Sequence, residues 1–409
     1  MGEINYNMKQ QPNFFEKLGL ADKEKIHSQI ISWLFSQELQ LIDKSTKKAL
    51  YLKLFKCELP ENYAVYTEWK NMDVVFLDLT GDKPKEALVI ENKLKSELHS
   101  NQLTKYYEKV KDKLDDAEVK KIHFRLLALY EPHDFQKQNI NDNWGFVSYT
   151  EFHETLLHLF CGINTQKSDE NYFEYKILEA YKEYLEQLLD CIEDFVEDPK
   201  KYQTIYYNGS KSLDEKITIQ FKGNEGKNTL SNLEQFVFRN NLETTFQKIY
   251  LNFIANQKLK TANPELINEY DISIGETRGS ALIDFRVKEG ILYKNHIVRW
   301  GYQIQGDSYK FTLVVEDPNQ NQTKKDIKEE LRKKILVEAK EKFALKTLRT
   351  GKGSYMSCSI NDSANSYWKM DSGLLVKKIL DDIKKFENFV RVEMKNITPT
   401  PHPPHTPLG

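Results

Sequence analysis

The stretch NMDVVFLDLTGDKPKEALVIENKLKSELHSNQLTKYYEKV, residues 71–110, decides the fold. MDVVFLDL and EALVIENKL are short, apolar and separated by the turn segment TGDKP, so they predict a β-hairpin. Asp73 begins one arm, while Glu91 and Lys93 stand two apart on the other. Period-two alternation places Glu91 and Lys93 on one face of their strand. Behind the hairpin, a helical pattern over residues 97–118 puts Gln102 and Tyr106 on one helix face.

Charged residues on a strand as apolar as ALVI are costly to bury unless they are paired or bind an ion. Asp73 and Glu91 could offset this burial cost by together binding Mg²⁺ or Mn²⁺, with waters in the remaining coordination positions of the metal. A metal-bound water is a nucleophile at neutral pH, and Lys93 could orient it or stabilise a charged transition state. The hairpin therefore predicts metal-dependent hydrolysis of a phosphate ester.

The spacing D-x17-E-x-K, followed by Q-x3-Y on a helix, resembles the PD-(D/E)XK nuclease superfamily. More narrowly, it resembles the group whose core carries IENK, then NQL and KYY, found here at residues 90–93, 101–103 and 105–107. The E-x2-HS of that group is matched upstream by Glu24, His27 and Ser28, and WGFVSYTEF fits downstream. The superfamily's usual proline before the aspartate is Met72 here. The resemblance covers residues 15–160.

The resemblance implies a restriction-endonuclease-like fold, in which a mixed sheet is flanked by helices. It implies that Asp73 and Glu91 bind the metal, that Lys93 is the catalytic lysine and that Gln102 lies over the site. Glu24 would bind the metal through water, and Tyr106 and Lys95 are the candidate substrate contacts. A packing role for Tyr106 is as well supported as substrate contact. For Lys95, a solvated surface position is a simpler interpretation than substrate contact. It also implies a nucleic-acid substrate, DNA rather than RNA, and a role in bacterial defence against phage.

The order of helical and strand patterns around this stretch predicts an α/β domain followed by a second α+β domain. A helix is expected within residues 19–35, where Asp22 could cap its start. The expected organisation is a nuclease-like domain over 1–165, a long connecting helix over 166–200, an α+β domain over 201–396 and a proline-rich tail over 397–409.

Composition sets limits on the class of protein. Of the 409 residues, 40% are hydrophobic and 29% charged, which is typical of a globular protein, and the net charge of -2 does not itself indicate nucleic-acid binding. The four cysteines are far apart without CxxC pairing, which argues against a zinc site or a disulfide framework. No segment is apolar over the roughly 18 residues of a membrane span. We expect a cytoplasmic protein, and leave open a second copy or a defence-system partner.

Several conspicuous residues have plain structural interpretations. His27 is expected to be a hydrogen-bonded core histidine, and Glu68 an exposed edge residue. The basic run 324–346 carries interspersed glutamates and predicts a solvated helix face. Trp300 and Tyr302 could stack on a ligand, but packing within their own sheet is the favoured interpretation. The alternative to an enzyme is a catalytically silent module that binds nucleic acid or protein, with the C-terminal half performing the function.

Overall fold

A computed structural model of the chain divides into two compact units. The first comprises residues 1–197 and 224–249, and the second comprises 198–223 and 250–409. Residues described by the structure are 12–82, 84–95, 102–115, 119, 121–133, 135, 139, 143–163, 169–206, 230–277, 280–305, 308–316, 324–345, 347–350, 355–360 and 370–397. The proline-rich tail beyond Ile397 lies outside these ranges.

Five described strands form the sheet of the first unit, in the order β1-β2-β3-β4-β5. Strands β1, β2 and β3 pair antiparallel, whereas β3, β4 and β5 pair parallel. The predicted hairpin is therefore β2 and β3. A parallel pair needs a crossover connection, and the helix Gln102–Asp115 (α4) supplies it between β3 and β4. The strands are Tyr63–Trp69 (β1), Met72–Asp78 (β2), Glu86–Lys93 (β3), Lys121–Ala128 (β4) and Trp144–Ser148 (β5).

A capping box marks the start of one helix in this unit. Ser148, the last residue of β5, accepts from the backbone N–H of Glu151, whose side chain in turn accepts from the backbone N–H of Ser148. This capping box starts helix α5 directly after the strand. The described helices are Phe14–Lys17 (α1), Glu24–Phe35 (α2), Lys44–Phe55 (α3), Gln102–Asp115 (α4), Tyr149–Gly162 (α5), Tyr172–Glu197 (α6), Asn232–Arg239 (α7) and Glu243–Phe253 (α8), the last crossing into the second unit.

The predicted cap of α2 is wrong. The residue before the helix is Lys23, which makes no side-chain capping bond. The Asp22 carboxylate instead pairs with the ammonium of Lys95 at 2.9 Å. A charge pair between partly buried groups is stronger than a single neutral hydrogen bond, and it satisfies Asp22 away from the helix terminus.

Both faces of the first sheet are buried. One face places Val89 and Phe124 against Leu103 of α4 in a single apolar cluster. The opposite face packs Phe76 against Tyr51 of α3, with ring centroids 5.1 Å apart and edge-to-face. Burying an apolar side chain of this size contributes roughly 1.5–3 kcal/mol. Packing on both sides therefore fixes β2 and β3, the strands that carry the candidate site.

The second unit holds an antiparallel sheet. Among the described residues its order is β11-β12-β10-β9-β7-β6, with β8 paired to β9. Its strands are Tyr270–Thr277 (β6), Ser280–Val287 (β7), Ile291–Tyr293 (β8), His296–Gln305 (β9), Ser308–Glu316 (β10), Thr347–Thr350 (β11) and Tyr355–Ile360 (β12). Its other elements are a 3₁₀ helix at Pro199–Tyr206, π-helical turns at Ile254–Leu259 and Arg332–Leu336, and helices Lys260–Ala262 (α9), Leu266–Glu269 (α10), Lys324–Leu331 (α11), Val337–Lys342 (α12) and Ser372–Ile397 (α13).

Helix α13 packs on one face of this sheet, where Phe386 stacks on Phe311 with ring centroids 4.2 Å apart. Trp300 and Tyr302 are 1% and 0% exposed, which confirms that these aromatics pack within their own core. Together the two units confirm the predicted fold class, an α/β domain with a mixed sheet between helices and a second α+β domain. In the part of the chain that is described, no helix combines the length and apolarity needed to cross a membrane.

Candidate active site

The hairpin brings the predicted acidic residues together. Strand β2 pairs antiparallel with β3 so that Val74 lies opposite Ile90. Carried one residue further, this register sets Asp73 opposite Glu91. Alternation along β3 sends Glu91 and Lys93 to the face of Val89, beneath helix α4. The two strands therefore gather two carboxylates and one ammonium at a single end of the hairpin.

All three side chains are held by hydrogen bonds or ion pairs. The Nζ of Lys93 lies 2.8 Å from Oε1 of Glu91, and their side chains are only 15% and 7% exposed. The backbone N–H of Asn92 donates to Oδ2 of Asp73 at 2.8 Å, across the hairpin. Asp73 is thus fixed by the backbone of the same strand that carries Glu91 and Lys93.

Burial, and then the negative charge of Glu91, raise the pKa of Asp73 to about 7. The N–H of Asn92 and the charge of Lys93 oppose this shift without cancelling it. Although burial lowers the pKa of Lys93, the charge and hydrogen bond of Glu91 raise it above its ordinary value. A single lysine ammonium therefore lies beside two buried carboxylates, so the acidic groups of the site outnumber its basic group.

Helix α4 covers this cluster with the two predicted polar residues. Nε2 of Gln102 donates to Oε1 of Glu91 at 3.4 Å. The hydroxyl of Tyr106 donates to the carbonyl of Asn71 at 2.9 Å, just before β2. Burial raises the pKa of Tyr106, and the charges of Glu91 and Asp73 raise it further. Both side chains therefore lie at the acidic pair, as the i, i+4 spacing predicts.

Glu24 reaches the site from helix α2. Its Oε1 accepts from the backbone N–H groups of Leu94 and Lys95, both at 2.9 Å. These two residues directly follow β3, so the carboxylate holds the end of the strand that carries Lys93. Its charge also contributes to the raised pKa of Asp73 and of Lys93. Glu24 therefore belongs to the same electrostatic cluster.

Asn92 is a central residue that the sequence pattern did not single out. Its amide nitrogen donates to the carbonyl of Glu24 at 2.9 Å and to Oγ of Ser28 at 3.1 Å. Its oxygen accepts from the hydroxyl of Tyr149 at 2.7 Å. Asn92 is 1% exposed and links β3 to α2 and α5. The available signal was a polar residue on a strand face that is otherwise apolar.

His27 and Glu68 have the structural roles expected of them. Nε2 of His27 donates to the carbonyl of Ala21 at 2.9 Å, and Nδ1 lies 2.8 Å from the hydroxyl of Tyr181. Burial lowers the pKa of His27 to about 4, so the ring is neutral and Nδ1 accepts from Tyr181. Glu68 is exposed on β1. The hydrogen bonds of His27 are made away from Asp73 and Glu91, whereas the charge of Glu68 adds to burial, Glu91 and Asp73 in raising the pKa of Tyr106.

The segment after β3 is held from a distant part of the first unit. Burial would raise the pKa of Asp22, but the hydrogen bond and charge of Lys95 bring it below its ordinary value. The carbonyl of Lys95 accepts from Nζ of Lys248, on helix α8, at 2.6 Å. Lys248 is 1% exposed, and its position in the sequence gave no indication of this contact. Both ends of Lys95 are therefore engaged within the protein.

The donor set suits a hard divalent cation. No three His, Cys, Asp or Glu side chains form a complete metal-binding group among the residues that the structure describes. Mg²⁺, however, is commonly held by one or two carboxylates, with water and phosphate oxygens completing its shell. Asp73 and Glu91 supply two such carboxylates, and the raised pKa of Asp73 reflects charge that a cation would balance.

Comparison with known proteins agrees with this geometry. Residues 12–183 match the family model of the PD-(D/E)XK nuclease superfamily. Over these residues the chain is similar to that superfamily, whose members are nucleases acting on nucleic acids and generally use divalent metals. Searches of curated proteins and of solved structures found no significant match. The family match covers the sheet of the first unit, helices α1 to α5 and part of α6.

Proposed function

We propose that the first unit is a metal-dependent nuclease that hydrolyses phosphodiester bonds, with Asp73, Glu91 and Lys93 as its catalytic residues. The observation that carries this proposal is the buried carboxylate pair Asp73–Glu91, which lies across the hairpin with a single ammonium beside it. A purely structural pair of this kind would be costly, because one of two adjacent buried carboxylates must give up its charge.

The roles of the side chains follow from their contacts. Asp73 and Glu91 would hold Mg²⁺ or Mn²⁺, which lowers the pKa of a coordinated water and neutralises charge on the phosphate. Lys93, held by Glu91, would donate to the attacking water or to a phosphate oxygen. Gln102 would keep Glu91 oriented, and Glu24 would fix the strand end and contact the metal through water. Tyr106 and Lys95 are the candidate substrate contacts, and Lys95 would have to leave Asp22 for that role.

Cleavage of a substrate panel tests the proposal. Single- and double-stranded DNA and RNA would be incubated with the full chain and Mg²⁺ or Mn²⁺. Wild type is expected to cut at least one substrate, while Glu91→Ala and Lys93→Met lose at least about 100-fold in rate. Glu38→Gln is the matched control, since this exposed glutamate follows helix α2 and makes no contact with the cluster, and it should cut as wild type does. Binding without cleavage by both wild type and Glu91→Ala would support the silent binding module instead.

We further propose that the substrate is DNA and that the protein acts in the bacterial cytoplasm in defence against phage, as the resemblance to the superfamily suggests. The expected result in the panel is faster cutting of DNA than of RNA of the same sequence. In cells, expression of wild type should lower phage plating efficiency, whereas Glu91→Ala should not. Equal plating efficiency on cells that express wild type and on cells that express Glu91→Ala would count against the defence role. It would not bear on the proposed hydrolysis.

A further inference from the structure

Strand β1 forms one edge of the described sheet in the first unit and carries a tyrosine that faces solvent. The register places Tyr66 opposite Val75 of β2, and Val75 opposite Val89 of β3. Residues directly opposite each other share a face of the sheet, so Tyr66 lies on the face that carries Glu91 and helix α4. Tyr66 is 41% exposed. A large aromatic ring is therefore accessible on the same face as the candidate active site.

A second aromatic ring supports the exposed one. The rings of Tyr66 and Trp69 stack with centroids 6.0 Å apart and planes 27° from parallel. Residues three apart point to opposite faces of a regular strand, so this stacking depends on a local departure from regular geometry. Glu68, between them, has a left-handed backbone with a φ of 56°, which is unfavourable for a residue with a Cβ. Trp69 also packs against the apolar cluster beneath α4 and so gives Tyr66 a fixed support.

The turn between β1 and β2 connects these rings to the candidate active site. Lys70 and Asn71 have positive φ angles of 52° and 65°, as a two-residue type I′ turn requires. The carbonyl of Asn71 accepts from the hydroxyl of Tyr106, which lies at the acidic pair. The partner of Tyr66 on β2 is two residues from Asp73, roughly 7 Å along the strand. Because one nucleic-acid strand advances about 3.4 Å per nucleotide in a duplex, a base on Tyr66 would be about two nucleotides from a phosphate at Asp73.

A group of lysines lies beside the stacked rings. Nζ of Lys70 lies 4.7 Å from the centroid of the Trp69 ring and donates to the carbonyl of Lys113 at 3.0 Å. Nζ of Lys113 donates in return to the carbonyl of Lys70. Desolvation lowers the pKa of Lys113, and the charges of Lys109 and Lys70 lower it further. Carbonyl groups are neutral, so these hydrogen bonds hold the two ammonium groups together without cancelling their charge.

The charges along this edge are arranged by sign. Glu68 is exposed, and its charge contributes to the raised pKa of Tyr106, which places Glu68 near the acidic pair. Lys109 and Lys113 follow Tyr106 along α4 by three and seven residues, about one and two helical turns further from the start of the helix at Gln102. A strand with one phosphate at the acidic pair would therefore meet the lysines with its neighbouring phosphates.

We propose that this aromatic–lysine patch binds an unpaired nucleotide of the strand being cut, so that the substrate is single-stranded or locally unwound beside the scissile phosphate. The patch consists of Tyr66, Trp69, Lys70, Lys109 and Lys113. The base stacks on Tyr66, and the lysines contact the phosphates next to it. A base inside a duplex is covered on both faces by its neighbours, so only a base outside the stack can reach this ring. This inference rests on the proposed nuclease function and deepens it by naming the class of substrate.

Binding of labelled strands to the full chain tests the proposal. The protein would carry Glu91→Ala and be kept in EDTA, so that no strand is cut. The probes are a DNA single strand of about 12 nucleotides, its blunt duplex, and an abasic strand of the same length that keeps the phosphates without the bases. Fluorescence anisotropy is expected to show the single strand binding at least about fivefold more tightly than either of the other two.

The contribution of the ring is tested by Tyr66→Thr, which keeps a residue type favoured in strands. It is expected to weaken binding of the intact single strand at least about fivefold and to leave binding of the abasic strand unchanged. Tyr66→Trp keeps an aromatic ring and should restore binding. Tyr172→Ala is the matched control, because Tyr172 on α6 is also exposed, at 60%, and has Nζ of Lys176 at 5.8 Å from its ring centroid. This control should bind as the parent does.

Equal affinity of the parent for the intact and abasic strands would overturn the proposal, and this comparison needs no variant at position 66. A blunt duplex bound as tightly as the single strand, or an equal loss in Tyr172→Ala and Tyr66→Thr, would also overturn it. Because binding is measured with Glu91→Ala and without metal, these results do not depend on hydrolysis. Cleavage by wild type without a preference for the intact single strand would leave the nuclease and remove the patch. The reverse result would leave the patch in a protein that binds without cutting.

Discussion

Asp73 and Glu91 are set opposite each other by the register of β2 and β3, and burial, followed by the negative charge of Glu91, raises the pKa of Asp73 to about 7. In the unfolded chain this carboxyl titrates near pH 4. Between about pH 4 and pH 7 the folded protein therefore holds a proton that the unfolded chain has lost. Stability contributed by protonated Asp73 is complete below about pH 4 and is lost as the pH rises to about 7.

Replacing Asp73 by asparagine should remove this pH dependence. Asparagine carries no charge, and its oxygen can still accept from the N–H of Asn92. In the absence of divalent metal, Asp73→Asn is expected to match wild type near pH 4 and to exceed it by a few kcal/mol at pH 8, at about 1.4 kcal/mol per pH unit. Urea unfolding over this pH range measures the difference.

Asp78→Asn is the control, because this carboxylate lies at the other end of β2 and accepts from the N–H of Thr80. It should keep the pH profile of wild type. A constant offset between Asp73→Asn and wild type at every pH would mean that Asp73 does not titrate in this range.

Mg²⁺ or Mn²⁺ should stabilise the protein more at high pH than at low pH. Binding requires a deprotonated Asp73, so protons compete with the cation below about pH 7. At a metal concentration 100 times the dissociation constant, the stabilisation is about 2.7 kcal/mol. The increase in melting temperature is expected to be clear at pH 8, small at pH 5.5 and absent in Glu91→Ala. An equal increase at both pH values would argue for metal binding elsewhere.

The local part of the site could be predicted from sequence because its geometry follows from spacing. Strand alternation placed Glu91 and Lys93 on one face, and helical spacing brought Gln102 and Tyr106 to the same cluster. The hairpin turn then set Asp73 opposite Glu91. Each of these relationships spans fewer than 40 residues and depends on one period or one turn.

The distant part of the site could not be predicted, since it depends on tertiary packing. Asn92 meets Ser28 and Tyr149 across 64 and 57 residues, and Lys248 meets Lys95 across 153. Asp22 was expected to cap a helix, but it pairs with Lys95 across 73 residues instead. No local pattern reveals which of several equivalent polar residues will find such a partner.

Asn92→Ala is expected to destabilise the protein by about 2–4 kcal/mol. The substitution leaves the buried hydroxyl of Tyr149 without its acceptor and removes the two bonds of the amide nitrogen, although Ser28 Oγ still donates to the carbonyl of Glu24. Asn62→Ala is the matched control, because Asn62 makes one exposed amide bond to the carbonyl of Leu79, and it should cost less than about 1 kcal/mol. Thermal unfolding of both variants measures the two losses of stability. Similar losses would mean that the Asn92 network adds nothing beyond a single surface contact.

Lys248→Met tests whether helix α8 supports the candidate active site. Methionine keeps the apolar length of the side chain but cannot donate to the carbonyl of Lys95. Removing a buried charge offsets much of the lost hydrogen bond, so global stability should change by no more than about 1 kcal/mol. Locally, the chain after β3 should loosen, and the amides of Leu94 and Lys95 that bind Glu24 should exchange faster. Because catalytic groups must be held within a fraction of an ångström, cleavage should fall by about tenfold or more.

Lys248→Arg retains a donor at this position and should recover part of the lost rate, whereas Lys25→Met, an exposed lysine on α2, should behave as wild type. Hydrogen exchange followed by mass spectrometry reports the local loosening independently of any substrate. If the two amides exchange at the wild-type rate in Lys248→Met while cleavage falls, the loss of rate does not come from loosening of the chain after β3. If neither changes, the buried contact between α8 and the end of β3 is not needed to position Lys93.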